Sequence, residues 1–184
     1  MMGRFLKLGV ALVAVLSLAG CFYSESRLTG VQAMPAQDFI DLVASPLETD
    51  WTFEAGFEDP ELMIVKHGNW KHFVVRMIPS TRGFVAEVNH KGKFMFAVLR
   101  PRGDCWVLWH KGEHYRYNAR QIMADRFDEW LAENALEHRL PEGWVAGVPV
   151  SNTSQIDAAY DELIRLDLLY PRQEFCPRGS QSQF

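Results

Sequence analysis

Phe84-Val85-Ala86-Glu87-Val88-Asn89-His90-Lys91-Gly92-Lys93-Phe94-Met95-Phe96-Ala97-Val98-Leu99-Arg100-Pro101-Arg102-Gly103-Asp104-Cys105-Trp106-Val107-Leu108-Trp109-His110 reads as three β-strands in succession. The runs Phe84 to His90, Phe94 to Leu99 and Cys105 to His110 are short and rich in aromatic and β-branched residues. His90-Lys91-Gly92 and Arg100-Pro101-Arg102-Gly103 part them with turn residues. Connections this short permit antiparallel hairpins and not the long crossovers of a parallel sheet.

The same grammar extends in both directions. Leu62 to Lys66 and Trp70 to Ile78 precede the stretch, with His67-Gly68-Asn69 and Pro79-Ser80-Thr81-Arg82-Gly83 as turns, and His114 to Asn118 follows Lys111-Gly112. This predicts a meander of about six strands, with Trp51 to Phe57 as a candidate seventh. Phe94 to Leu99 and Cys105 to Trp109 are apolar on both faces, whereas a half-solvated antiparallel sheet alternates. Their two faces must both be covered, by helices on one side and by sheet curvature or a partner on the other. Ala36 to Val43 reads as a short helix opened by Pro35, with Phe39, Leu42 and Val43 on one face. After the meander, Ile122, Met123, Phe127, Trp130 and Leu131 form one helical stripe, with Asn118 and Gln121 as its capping pair and Pro141 and Gly143 as its stop. Ile156, Ala159, Tyr160, Leu163, Ile164 and Leu168 form another, opened by Ser154 with Asp157 and ended by Pro171. The expected fold class is α+β: a curved antiparallel β-meander with helices packed on one face.

The N-terminus is of another kind. Arg4 and Lys7 lie before an almost wholly apolar run from Leu8 to Leu18, and the run closes on Leu18-Ala19-Gly20-Cys21. These four residues resemble the lipobox of bacterial lipoproteins, and the resemblance covers only about the first twenty residues. The run is too short for a transmembrane helix, which needs roughly 20 apolar residues. The resemblance implies cleavage before Cys21, a thioether-linked diacylglycerol on its sulfur and an acylated amine. Phe22, where an aspartate would mark inner-membrane retention in a diderm host, implies the outer membrane, facing the periplasm. The expected organisation is a cleaved signal at 1–20, a polar tether at 21–33 and one α+β domain at 34–184.

Without Arg4 and Lys7 the chain has 17 basic and 23 acidic residues, a formal net charge of −6. Residues 61–118 hold ten basic and four acidic residues, between flanks that are both acidic. An exported acidic protein is a poor candidate for nucleic acid. Cys105 and Cys176 are expected to pair in an oxidising compartment, and two cysteines make a poor zinc site. The turns at His67, at His90-Lys91 and at His110-Lys111 should fall at one end of the sheet. They form a candidate anion-binding rim, though turn chemistry alone accounts for polar tips. Arg82, Arg100 and Arg102 should line the opposite end, where the basic sheet can pair with its own acidic helices. Arg102-Gly103-Asp104 needs no explanation beyond a tight turn. Glu87 and His72 are a conceivable acid–base pair, for which a surface ion pair is the commoner reading.

No G-x-S-x-G, H-E-x-x-H or phosphate-binding glycine loop occurs. No catalytic residue, metal or cofactor is therefore assigned. The leading expectation is a non-enzymatic envelope lipoprotein, an accessory or assembly subunit acting through a protein partner and held on the membrane by its acyl chains. The alternatives are a ligand-binding lipoprotein with an aromatic pocket between sheet and helices, and an enzyme acting on envelope polymers.

Overall fold

The computed structural model describes residues 22–43, 51–67, 70–90, 92–111, 119–137 and 148–176. In chain order these form β1 (Phe22–Ser24), α1 (Ala36–Val43), β2 (Trp51–Ala55), β3 (Leu62–His67), β4 (Trp70–Ser80), β5 (Gly83–His90), β6 (Lys93–Arg102), β7 (Cys105–Lys111), α2 (Ala119–Glu133), β8 (Val148–Pro149), α3 (Thr153–Arg165) and β9 (Leu169–Phe175). The class is α+β, with strands dominating. β2 to β7 run as the expected antiparallel meander, and β9 extends it beyond β7. His114 to Asn118, with the cap assigned to Asn118, lie outside the described residues.

The sheet is curled but not closed. Seven strands lead from β2 to β9, and six spacings of about 4.8 Å would put the ends about 29 Å apart in a flat sheet. Instead Phe53 of β2 and Phe175 of β9 meet edge to face, 5.6 Å between ring centres. No described ladder joins the two strands. Gly83 sits at the β4–β5 turn with φ +140°, and a Cβ there would stand 2.3 Å from the Leu99 carbonyl oxygen. Only glycine fits this close approach.

Alternation divides the side chains between two cores. Met63, Val65, Val75, Met77, Phe84, Ala86, Ala97 and Leu99 face the inside of the curl. α1 packs there, with Phe39 edge to face on Phe84 at 5.3 Å. Ile78, Val85, Phe96 and Val98 face the other way, beneath Phe127 and Leu131 of α2 and Ile156, Ala159, Tyr160 and Leu163 of α3. The doubly apolar strands are thus covered on both faces by this chain's own elements. α2 and α3 share one face as expected, while α1 lies on the other. Its buried side is Ala36, Phe39 and Ile40, and Leu42, expected on that side, is 41% exposed.

The helix ends differ from those read in the sequence. Asn152 caps α3, accepting a bond from the Gln155 amide at 2.9 Å, while Gln155 Oε1 accepts from the Ser151 amide. Asp157, expected in the cap, is buried. α3 stops at Leu166 because Asp167 adopts φ +54° and the Leu168 amide donates back to the Leu163 carbonyl at 2.9 Å. This hydrogen-bonded reversal frees Leu169 to start a strand. Ala135 ends α2 the same way, with the Leu136 amide on the Leu131 carbonyl at 2.8 Å.

The largest departure concerns residues 22–33, expected to be a tether. β1 inserts into the sheet. On one edge, β6 pairs with β7 from Arg102 back to Val98, then loses it. β1 takes over that edge at Met95 and Phe94, and β8 pairs in parallel with β1 through Phe22↔Val148. At this fork the Tyr160 hydroxyl donates to the Phe96 carbonyl at 2.6 Å. Phe22 is 0% exposed, with its ring 5.1 Å from Tyr160 and 6.5 Å from Phe127. Leu28 and Ala33 are buried in the same core. Polar Glu25, Ser26, Arg27, Thr29 and Gly30 suggested solvent, but a strap crossing a surface can be polar outward and anchored by a few apolar residues.

Phe22→Ala should therefore cost about 3–5 kcal/mol, the range for a truncated core aromatic. A tether position would give less than about 0.5 kcal/mol. Chemical denaturation of the disulfide-intact domain distinguishes the two.

Candidate functional site

Cys105 and Cys176 form a disulfide, with their Cα atoms 4.3 Å apart. The bridge ties the end of β9 to the start of β7, where Trp106 pairs with Phe175. Across a sequence separation of 71, the chain-entropy relation gives about 4 kcal/mol of stabilisation. Glu174 lies with the two sulfurs in the only described group close enough to hold a metal ion. Both thiols are spent in the bridge, and the Glu174 carboxylate takes an ion pair from Arg102 at 3.3 Å.

The three basic turns do not form a straight rim. Lys91 lies outside the described residues, and only the backbone places His67, His90, His110 and Lys111. His67 closes β3 opposite Trp70, and His90 closes β5 opposite Lys93. Counting on from Val98↔Trp109, Lys111 stands level with Phe96, three residues short of Lys93. That sets it roughly 10 Å back along the strands. β1 occupies the edge of β6 that β7 has left, so the tip of β7 is separated from the others.

The other expected basic end is neutralised within the chain. Arg100, on the outer face of β6, reaches Asp157 at 2.9 Å and Asp161 at 3.3 Å, both on α3. Ser80 and Thr81 hydroxyls donate to the same Asp157 carboxylate at 3.1 and 3.3 Å, and Arg82 pairs with Asp161 at 3.3 Å. Asp157 is buried, and these donors supply the partners that a buried carboxylate needs. The basic sheet thus pairs with its own acidic helix, and the cluster fixes α3 on the sheet.

A second charged cluster was not read from the sequence. Arg76 and Glu87 face each other across the β4–β5 ladder. They are 5% and 3% exposed, with Arg76 Nε 3.0 Å from Glu87 Oε1. Glu87 Oε2 accepts the Leu28 amide at 3.0 Å, and Arg76 Nη2 donates to the Leu28 carbonyl at 3.3 Å. Glu61 lies 3.7 Å from Arg76, and Arg27 lies 3.9 Å from Glu87. The pair therefore grips both polar groups of one strap peptide unit. His72 lies four residues farther along β4, so Arg76, not His72, faces Glu87. The pairing could have been suspected from opposite charges on adjacent predicted strands. Its use of Leu28 could not, since the partners are 48 and 59 residues away.

Beyond these clusters, a shallow open depression of about 300 Å³ is lined by Ala132, Ala135, Leu136, Glu137 and Pro149. On the surface of α3, hydrogen bonds from Arg165, with its positive charge, hold the Glu162 carboxyl below the usual carboxylate range despite partial burial. No helix among the described residues is long and apolar enough to cross a membrane. The chain matches no protein-family model, no curated protein and no solved structure.

Glu87→Ala should destabilise the domain by about 3 kcal/mol, because it leaves the buried Arg76 charge with only the partly exposed Glu61 carboxylate at 3.7 Å. The double variant Arg76→Met, Glu87→Leu should recover much of that loss, though not the grip on Leu28. Urea denaturation of the two single variants and the double variant reads the coupling directly.

Proposed function

We propose that this protein is a lipid-anchored envelope protein, acylated at Cys21, held at the outer membrane facing the periplasm, and acting through protein contacts as an accessory or assembly subunit. The observation that carries the anchor is Leu18-Ala19-Gly20-Cys21 at the end of an apolar run behind Arg4 and Lys7. The buried Cys105–Cys176 disulfide supports export to an oxidising compartment.

The protein-contact role needs support other than the doubly apolar strands, which the chain itself covers. The β2–β3 turn supplies one. Phe57 is 103% exposed there, and the turn is fixed around it. The Gly56 amide donates to the Leu62 carbonyl at 2.6 Å, the Leu62 amide to the Asp59 carbonyl at 3.1 Å, and the Glu61 amide to Asp59 Oδ1 at 3.0 Å. A Cβ at Gly56 would come within 2.8 Å of the Asp59 carbonyl oxygen, so this tight loop requires glycine. A rigid aromatic presented to solvent is the kind of anchor around which interfaces concentrate their energy. By contrast, rings between sheet and helices contact one another, as Trp130 stacks on Phe127 at 5.8 Å. The buried carboxylates Glu87, Asp157 and Glu174 are each held by an arginine.

Intact mass spectrometry of the membrane-extracted protein should give the chain from Cys21 plus a diacylglycerol and an amide-linked acyl group. Cys21→Ser should lose that mass and leave the membrane fraction. Retention of residues 1–20, or an unmodified Cys21, would sink the anchor. A photo-crosslinking residue at Phe57 should capture a stoichiometric protein in intact envelopes, where one at exposed Ser151 should not. Equal yields at both positions would remove the contact role.

A further inference from the structure

Lipidation fastens Cys21 to the bilayer, and the fold fastens the next residue to the core. Phe22 is 0% exposed, its backbone lies in the sheet opposite Val148, and its ring sits among Tyr160 and Phe127. Tyr23 is buried as well, pairs with Met95, and its carbonyl accepts the Val150 amide at 2.9 Å. Glu25 then pairs with Lys93 of β6, and Leu28 is gripped by Arg76 and Glu87. The segment where a flexible spacer would lie is thus occupied by strand and strap from its first residue.

We infer that the domain has no tether and docks directly on the leaflet that holds its own acyl chains, with the side from which the chain enters β1 turned to the lipid surface. This rests on the lipid-anchor reading above. One peptide unit spans only about 3.8 Å between Cα atoms. The anchored Cys21 therefore cannot lie more than that from Phe22, and Phe22 cannot leave the core without breaking its ladder and emptying an aromatic site. By backbone position, β7 leaves β6 beside this point and continues through His110 and Lys111 against β9. By the same register, the basic tip of β7 lies near Phe22, the residue next to the proposed anchor. The occupant of this face is the phospholipid leaflet. A tethered lipoprotein samples many heights and orientations, whereas this one is limited to those that keep the start of β1 close to the membrane.

The test uses the full acylated protein, extracted from membranes and reconstituted on a supported bilayer of phosphatidylethanolamine and phosphatidylglycerol. Neutron reflectometry measures the water layer between headgroups and protein. A variant with a spacer of about twelve Gly and Ser residues between Cys21 and Phe22 serves as the reference, since such a spacer spans about 20 Å root-mean-square. The wild type should show protein density beginning at the headgroups, and the spacer variant a hydrated gap wider by about 10–20 Å. The same melting temperature for both would show that the insertion leaves the fold intact. A gap of tether dimensions in the wild type, or identical profiles for the two, would overturn direct docking with the anchor reading untouched. A wild-type mass without acyl groups would overturn the anchor itself, and direct docking with it.

Discussion

The buried Arg76–Glu87 pair is the constraint on which the arrangement of the outer face depends. Two charges removed from water are costly unless every donor and acceptor finds a partner. Here part of the spare hydrogen-bonding capacity goes to the Leu28 peptide unit, while Arg76 Nε approaches Glu87 at 3.0 Å without making a hydrogen bond. The ion pair therefore works less as a source of stability than as a positioning device. It holds the middle of the strap, while Phe22 plugs the core at one end. Beyond the other end, the Met34 amide binds the Met77 carbonyl at 2.8 Å and the Ala36 amide binds the Pro60 carbonyl at 2.7 Å. β3 stops at Leu62 opposite Arg76, so Met77 has lost its neighbour on that edge and the strap takes its place. The chain then passes from the outer core to the inner one, where α1 fills the curl.

The curl and the fork share a cause. Strands twist, and a sheet of this many twisted strands either splits or curls. This one does both. β7 stays with β6 for only five residue pairs, from Arg102 to Val98, before leaving it and continuing against β9 alone. The vacated edge of β6 would present unpaired backbone to a packed core. β1, β8 and the Tyr160 hydroxyl together answer that need. They are short because the gap they fill is short.

This explains what could be read in the sequence. The long ladders β3 to β7 rest on local signals, namely apolar alternation and glycine turns, and their bounds were legible to within a few residues. The disulfide was legible from the expectation of an oxidising compartment and from cysteine number. β1 and β8 have no local signal, since strands of three and two residues exist only through pairing with β6 and with each other. β9 was read as the continuation of a helix because Leu168 keeps the helical period, and the reversal at Asp167 needs a left-handed residue that is neither Gly nor Asn. At the candidate site, the sequence supplied the proposed anchor residue and the basic turns. It could not show that the tether was structural, because polarity outward and burial inward look alike in a strap with only a few apolar residues.

Both ends of the described chain close on the same pair of strands: β1 on β6, and Cys176 on β7. β1's partners lie about 70 residues downstream in β6 and about 125 downstream in β8, so it can be placed only after most of the domain has been made. Contacts this distant in sequence form late, because the loop entropy must be met first. On the proposed anchoring, Cys21 is already in the membrane when that happens. The last strand to enter the sheet is then the one attached to the lipid, and completing the fold is the same event as drawing the domain down onto the bilayer. Weakening the grip on Leu28 would free the middle of the strap while β1 stays in the sheet, so the connection to the proposed anchor would keep its length. On that anchoring, the burial of Phe22 one peptide unit from Cys21 would set the distance between the protein and the bilayer, while the ion pair holds the strap that follows.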